Sequence, residues 1–287
     1  MDADLLRIPV GPGAMHVERW GTGGSPVVLL HGFTTSSFLW RHVGRELARL
    51  GHTAFALDLF GFGESDRPWD ADFGIATQAE YLDRALTALR LAAPMLVGVG
   101  IGGSVALRLA GTRPERVERL VLVNTPAFDL LPGREVRHVQ AQTAKFALRV
   151  SRNVLGVASV LPPVLRESVV DPEAMPDRLV ARYLAPYVGR DGMRHLLTLA
   201  RSIRTGDLDE LDLDAVTAAT LVIWGEGDRF LDAWDAERLT RAIPGARLER
   251  LPGVGRLVPE EAPEELTRLL HEFATAAERG SGTPAGA

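Results

Sequence analysis

Short apolar runs alternate with amphipathic stretches along the first half of the chain. Mostly apolar runs at 27–30, 53–57, 94–99 and 117–123 are typical of strands buried on both faces of a parallel sheet. The stretches between them, 38–50, 75–91 and 101–112, repeat apolar residues at helical spacing. This alternation predicts the α/β fold class, in which helices cover both faces of a mostly parallel sheet.

The residues before the alternating part of the chain predict a hairpin, and the residues after it predict a long helical insertion. Residues 5–10 and 14–20 predict two short strands joined at Gly11-Pro12-Gly13. Helical patterns at 134–151, 176–188 and 191–204 are interrupted by prolines, which predict helix breaks at Pro162-Pro163, Pro172 and Pro176. The sequence then returns to strand patterns at 220–224 and 246–251 and to helical patterns at 234–243 and 262–277.

Three glycine-containing turns follow predicted strands. They are His31-Gly32-Phe33, the loop 58–68, and the segment 98–103. Because the carboxyl ends of parallel strands meet at one edge, where ligands bind, the three turns are expected to lie together. The third has the outer glycines of the strand-to-helix nucleophile elbow G-x-S-x-G, with Gly100 in the place of the nucleophile. We expect Asp58 to brace its own loop and to take no part in chemistry.

The composition of the chain excludes several classes of function. A formal net charge of −5 gives no basis for binding nucleic acid or an anionic membrane. The absence of cysteine excludes disulfides, thiolate metal sites and a cysteine nucleophile. No phosphate-binding or dinucleotide-binding fingerprint is present, so we expect neither a cofactor nor a metal. Without a signal sequence or a long apolar run, a cytoplasmic location is expected.

Five motifs in order make the chain similar to the α/β-hydrolase superfamily, near its epoxide-hydrolase, haloperoxidase and ring-cleavage-product hydrolase branches. They are His31-Gly32-Phe33, 58–68, 98–103, 224–228 and 252–263. The resemblance implies an eight-stranded, mostly parallel sheet with a core over 1–126 and 215–278. It also implies an inserted helical cap, or lid, over 127–214, and we expect a disordered tail over 279–287 because that segment is rich in Gly, Ser, Pro and Ala.

The resemblance also identifies the site positions, in the order nucleophile, acid and histidine. The nucleophile position is Gly100 and the acid position is Asp228. The histidine position is Arg256, because Gly255, Glu261 and Pro263 keep the spacing of the family's closing loop.

Arg256 and Gly100 change what such a site can do. An arginine keeps its proton at any working pH and cannot act as a general base. Gly100 leaves room for a bulky substrate group, and the backbone N–H groups of Phe33 and Ile101 remain as an oxyanion hole. Asp228 either orients Arg256 toward a substrate oxygen or pairs with it for structural reasons only.

Seven further residues are candidates for substrate binding, although each also fits a packing role. They are His31, Trp40, Phe128, His138, Tyr183, Tyr187 and His195. Tyr183 and Tyr187 are four residues apart and are expected to share a helix face. In epoxide-hydrolase relatives, cap tyrosines donate hydrogen bonds to the epoxide oxygen.

The altered site predicts a non-hydrolytic enzyme acting on a large, mostly apolar small molecule. It would promote cyclisation, rearrangement or intramolecular bond formation by positioning and oxyanion stabilisation. Lys145 is the sole lysine among 32 basic residues, a bias typical of GC-rich actinomycete genomes, so we expect polyketide-type natural-product tailoring. The alternatives are an inactive ligand-binding pseudoenzyme, or a hydrolase or epoxide-opening enzyme in which Asp228 or a cap histidine activates water. The sequence does not decide the oligomeric state, and a homodimer is one possibility.

Overall fold

An eight-stranded sheet forms the centre of the computed structural model, which describes residues 2–149, 161–189 and 191–276. The strand order is β1-β2-β4-β3-β5-β6-β7-β8; β2 runs antiparallel to both its neighbours and all other pairs are parallel. The strands are β1 Asp4–Pro9, β2 Ala14–Trp20, β3 Pro26–Leu30, β4 Thr53–Leu57, β5 Met95–Val99, β6 Arg119–Val123, β7 Ala219–Gly225 and β8 Arg247–Leu251. The predicted fold class is therefore confirmed, while the predicted tail 279–287 lies outside the described residues.

Helices cover both faces of this sheet. They are α1 Arg41–Arg49, α2 Ile75–Ala88, α3 Ile101–Thr112, α4 Arg134–Arg149, α5 Leu161–Glu167, α6 Asp177–Leu184, α7 Gly192–Ser202, α8 Ala233–Ala242, α9 Val258–Glu261 and α10 Pro263–Thr275. Successive strand side chains point to opposite faces. Val28 therefore packs in one apolar cluster with Leu82 of α2, whereas Leu29 packs in a second with Leu47 of α1. Burial on both faces explains the near-continuous apolar strands.

The long insertion between β6 and β7 contains α4, α5, α6 and α7. Its side chains extend both apolar clusters: Val136 and Leu196 join the first, and Leu165 and Leu179 join the second. The exact limits of core and cap stay a prediction. In the described part of the chain, no helix combines the length and apolar character needed to cross a bilayer.

Three local predictions were wrong. Pro162 and Pro163 lie in the first turn of α5, so a helix begins where the sequence predicted a break; the first helical positions need no N–H donor for the ladder. The segment 38–50 begins as a 3₁₀ turn, Ser37–Trp40, before α1. Tyr183 and Tyr187 do not share one α-helix, because α6 ends at Leu184 and a 3₁₀ turn follows.

Candidate active site

The turn between β5 and α3 has the geometry of a nucleophile elbow. Gly100 caps α3 with φ +56° and ψ −125°, and its N–H donates to the Val123 carbonyl oxygen at 3.1 Å. A positive φ strains a residue with a side chain, whereas glycine adopts it freely. The predicted turn is present, and the residue at its apex carries no side chain that could react.

The two flanking glycines are fixed by close backbone contacts. A Cβ on Gly98 would lie 2.3 Å from the nitrogen of Gly103, and a Cβ on Gly102 would lie 2.5 Å from the carbonyl oxygen of His31. Real Cβ atoms do not approach backbone atoms this closely, so only glycine permits this packing. The elbow scaffold is therefore preserved although its central residue cannot attack a substrate.

The guanidinium of Arg256 lies directly over Gly100. A Cβ built on Gly100 would be 3.3 Å from Nη2 and 3.7 Å from Nε of Arg256. The same position is 3.7 Å from the Cα of Gly32, so the turn after β3 also closes over the elbow. The expectation of open space above Gly100 for a bulky substrate group is therefore wrong, because the arginine side chain occupies it.

Arg256 is buried between two carboxylates. Its Nη2 donates to Oε1 of Glu135 at 2.8 Å, while Nη1 lies 3.6 Å from Oδ2 of Asp228, an ion pair without a hydrogen bond. The three side chains are 5% exposed or less. Burial strengthens the attraction because little water screens the charges. The expected Asp228–Arg256 pair is brought together, but the shorter contact is with Glu135.

Glu135 was not among the site residues predicted from the sequence. It lies in the first turn of α4, at the start of the insertion, where an acidic residue also fits the helix dipole. That ordinary explanation gave no signal of a contact with the closing loop. Only the placement of the insertion over the sheet brings the two side chains together.

Asp228 is held rigidly by hydrogen bonds. Its Oδ2 accepts from Nδ2 of Asn124 at 3.0 Å, and its Oδ1 accepts from the backbone N–H of Phe230 at 2.8 Å and of Leu231 at 3.3 Å. Asn124, at the end of β6, is itself fixed because its Oδ1 accepts from the Gly225 N–H at 2.9 Å. These bonds engage both oxygens of Asp228, which suits it to orient a neighbour and not to take up a proton.

Several polar groups around the elbow have no partner within the described ranges. They are Nη1 of Arg256, Oε2 of Glu135, and the backbone N–H groups of Phe33 and Ile101. Buried polar atoms normally form hydrogen bonds, so unpaired ones mark a strained or functional place. Three donors and one acceptor at the elbow can receive a ligand oxygen and a ligand proton. No group of three His, Cys, Asp or Glu among the described residues is arranged to hold a metal ion.

Comparisons with known proteins agree with the fold described above. A family described as the α/β hydrolase fold matches residues 25–159. An uncharacterized hydrolase of Bacillus subtilis is 27% identical over 259 residues, covering 88% of this chain and 90% of the relative. A crystal structure of an α/β hydrolase fold protein from Burkholderia ambifaria matches with a TM-score of 0.81 at 26% identity, covering 94% of this chain and 98% of that one. The chain belongs to the α/β-hydrolase superfamily.

A relative within this superfamily has a named substrate. The 2-hydroxy-6-oxononadienedioate/2-hydroxy-6-oxononatrienedioate hydrolase of Burkholderia vietnamiensis is 28% identical over 271 residues and covers 90% of each chain. The expected family and fold are thereby confirmed. The relatives' names do not by themselves transfer an activity to a chain with Gly100 and Arg256 at its elbow.

The three candidate histidines of this α/β-hydrolase chain lie outside the cluster around Arg256 or are bound to backbone groups. Nε2 of His31 accepts the Leu59 N–H at 3.0 Å, so Nδ1 carries the proton and donates to the Gly32 carbonyl oxygen at 2.7 Å. Nε2 of His195 donates to the Gly61 carbonyl oxygen at 2.6 Å. Burial lowers the pKa of both histidines. The side chain of His138 is exposed on α4.

These contacts make His31 and His195 structural. The ring nitrogens of His31 are both used by backbone groups, and His195 packs edge-on against Phe73 and Trp69. The exposure of His138 places it outside the cluster around Arg256. The expectation that these three histidines bind substrate is therefore not supported by their surroundings.

Of the remaining candidates, Trp40 packs in the core and Phe128 lines a cavity separate from the elbow. Trp40 is fully buried in the apolar cluster that holds α1 against the sheet. Phe128 has a φ of +54°, and the guanidinium carbon of Arg238 lies 4.2 Å from its ring centre. Phe128 lines a cavity of about 400 Å³ whose wall also includes Leu107 and Leu208, and none of the elbow residues.

The two insertion tyrosines have different surroundings. The hydroxyl of Tyr183 donates to Oε1 of Glu260, whose two oxygens also accept from Arg41 at 2.7 and 2.8 Å. The hydroxyl of Tyr187 is buried without a partner in the described part of the chain, and the guanidinium carbon of Arg67 lies 5.9 Å from its ring centre. Tyr183 therefore ties the insertion to α9. Asp58, as predicted, braces its loop, because it accepts from the Glu64 N–H at 2.7 Å; it also accepts from the Ser37 N–H, in the turn before α1, at 2.5 Å.

Proposed function

We propose that this chain is a non-hydrolytic, cofactor-independent enzyme that acts on a carbonyl-bearing, largely apolar small molecule. It promotes cyclisation, rearrangement or intramolecular bond formation by positioning the substrate and stabilising an oxyanion. The observation that carries the proposal is the buried guanidinium of Arg256 at the elbow, with Nη1 free of any hydrogen-bond partner among the described residues. Composition alone supports the natural-product, polyketide-type setting.

The surroundings of the elbow argue against hydrolysis through a covalent intermediate. Gly100 has no nucleophile, and Arg256 cannot accept a proton. Activation of a water by Asp228 is also disfavoured, because the oxygens of Asp228 accept three hydrogen bonds. His195, the buried histidine of the insertion, is bound to a backbone carbonyl. The chain thus departs from relatives that are named hydrolases.

Oxyanion stabilisation is what the donors around Gly100 can still provide. Nη1 of Arg256 and the N–H groups of Phe33 and Ile101 lie on the segments that meet at the elbow. A single donor aimed at a developing oxyanion changes a rate by about 10²–10³-fold. Donors of this kind accelerate an intramolecular reaction without any covalent step by the protein.

The test uses p-nitrophenol, a phenolate-forming probe, and its acetyl ester. We expect no burst of p-nitrophenol from the ester, and we expect the phenolate to bind in a visible-absorbance titration. Arg256→Gln should weaken phenolate binding about 10–150-fold, since a hydrogen bond to a charged group contributes about 1.5–3 kcal/mol. Arg178→Gln, at an exposed arginine of α6, is the matched control.

Arg256→Lys keeps the charge and provides a second variant if the glutamine protein folds poorly. It should bind the phenolate more weakly than the natural chain, because lysine lacks the planar fork of donors. A burst with the ester, or phenolate binding that does not depend on Arg256 in either variant, would contradict the proposal.

A ligand-binding pseudoenzyme is the second candidate. It is favoured by the pairing of Arg256 with two carboxylates, which already balances the cation. Such a protein would bind the phenolate in the same way but would not accelerate any reaction of a carbonyl probe. Acceleration of proton exchange in a carbonyl probe separates the two functions, because only the enzyme would produce it.

A further inference from the structure

We infer that Glu135 is a catalytic base that removes a proton from the carbon next to the substrate carbonyl. This inference deepens the proposed function and rests on it, because the oxyanion formed would be the one held at Arg256. The substrates would then be carbonyl compounds with an acidic α-hydrogen, such as β-dicarbonyl compounds, and the first step would be formation of an enolate.

The two oxygens of Glu135 have different environments. Oε1 accepts from Nη2 of Arg256 at 2.8 Å, while Oε2 is buried and has no hydrogen-bond partner within the described residues. The residue is 3% exposed. A carboxylate with one oxygen anchored and the other free is held in position and keeps a lone pair for a proton.

Glu135 is the carboxylate at the elbow best placed for this task. Both oxygens of Asp228 accept hydrogen bonds, whereas Oε2 of Glu135 accepts none within the described residues. The guanidinium that binds Oε1 also lies 3.3 Å from the Cβ position of Gly100, so one cation bridges the elbow and the base. Base and oxyanion donor are thereby in contact with each other.

The carboxylate of Glu135 packs closely against the backbone of Gly133. A Cβ on Gly133 would lie 2.5 Å from Oε2 and 2.6 Å from Oε1 of Glu135. The carboxylate therefore packs over a residue without a side chain, and any side chain there would push it away. Because the displaced atoms are the end of a flexible side chain, Gly133→Ala moves the carboxylate while keeping its charge.

The proposed step balances without any co-reactant. Oε2 takes the α-proton, the C–H electron pair forms a C=C bond, and the carbonyl π electrons move to the oxygen. The oxyanion is stabilised by Nη1 of Arg256 and by the N–H groups of Phe33 and Ile101. The enolate carbon then attacks a second carbonyl carbon of the same molecule. The C=C electron pair forms the new C–C bond, the first C=O re-forms, and the π electrons of the second carbonyl move to its oxygen, which takes the proton from Glu135.

The test measures exchange of the α-hydrogens of benzoylacetone with deuterium oxide, followed by NMR. The natural chain should accelerate exchange, and Glu135→Gln should lower that acceleration about 10²–10⁴-fold, the usual contribution of a general base. Binding of p-nitrophenolate, which requires the donors only, should persist in the variant. Glu167→Gln, at an exposed glutamate of α5, should exchange at the natural rate.

Two further variants separate a base from a merely structural carboxylate. In Glu135→Ala, added formate should restore exchange in proportion to its concentration, which a structural role would not produce. Gly133→Ala should slow exchange several-fold while the protein stays folded, and it replaces the glutamine variant if that protein misfolds.

The outcomes distinguish this inference from the proposed function. No acceleration by the natural chain, or full exchange in a folded Glu135→Gln protein, would overturn the role of Glu135 while Arg256-dependent phenolate binding still stood. An unchanged exchange rate in Gly133→Ala, together with no rescue by formate, would overturn it as well. Phenolate binding that is independent of Arg256 would instead overturn the proposed function.

Discussion

The two insertion tyrosines allow a sharp test of which hydroxyl groups stabilise the fold. Tyr183 and Tyr187 are each 2% exposed and stand four residues apart. The hydroxyl of Tyr183 donates to the Glu260 carboxylate, which is paired with Arg41, whereas the hydroxyl of Tyr187 has no partner in the described ranges. Burial, followed by the charge of Glu260, raises the pKa of Tyr183, so its hydroxyl keeps its proton and donates at neutral pH.

Replacing each tyrosine by phenylalanine removes one oxygen and little volume. Tyr183→Phe should cost about 1.5–3 kcal/mol, because it removes a buried hydrogen bond to a charged group. Tyr187→Phe removes a buried hydroxyl that is already unpaired, so it should be neutral or stabilise the chain by about 1 kcal/mol. At about 2–4 °C per kcal/mol, Tm should fall by roughly 3–12 °C in the first variant and should not fall in the second.

Thermal unfolding followed by circular dichroism, with urea unfolding as a second measurement, checks this pair. Equal losses in the two variants would refute the reasoning, because the geometry assigns a charged partner to one hydroxyl only. The same proteins test the sequence-based expectation that the tyrosines bind substrate. If Tyr187 contacts the ligand, Tyr187→Phe should weaken binding of p-nitrophenol while Tm stays unchanged.

Two further predictions concern the scaffold. Gly102→Ala should destabilise the chain by about 1–3 kcal/mol in urea unfolding, because its Cβ would lie 2.5 Å from the His31 carbonyl oxygen, whereas Gly23→Ala, with open space around it, should be close to neutral. Burial lowers the pKa of His195 below its ordinary value of 6.5, so the stability it contributes is present above that pH and is lost as the pH falls. His195→Gln should therefore reduce the loss of unfolding free energy between about pH 7.5 and pH 5, and an unchanged pH dependence would contradict this.

The fold could be predicted because its signals are local. The strand Thr53–Leu57 and the helix Ile101–Thr112 match the predicted ranges, since runs of apolar residues and helical spacing are read directly along the chain. The elbow could also be placed from the sequence. Close backbone contacts require its glycines, and the spacing of these glycines is visible along the chain. The short helix Val258–Glu261 was missed because four residues carry too little periodicity to be detected.

The contacts of the site could not be predicted in the same way. Glu135 and Arg256 are 121 residues apart, and their contact depends on how the insertion lies over the sheet. An acidic residue at the start of a helix has a sufficient local explanation, so nothing in the sequence marked it. His31 was a candidate for substrate binding because it is near the predicted oxyanion hole, yet its ring is used by two backbone groups that only the folded loop supplies.

The charge balance around Arg256 connects the two proposals. One cation lies between the carboxylates of Glu135 and Asp228, and all three side chains are buried, so the site resists any step that creates a new isolated charge. In the proposed reaction the proton moves to Glu135 and the negative charge moves to the substrate oxygen. Both places contact the same guanidinium, so the total charge beside Arg256 stays constant during the step. A neutral histidine at this position could not hold the charge in that way, whereas an arginine does so at every working pH.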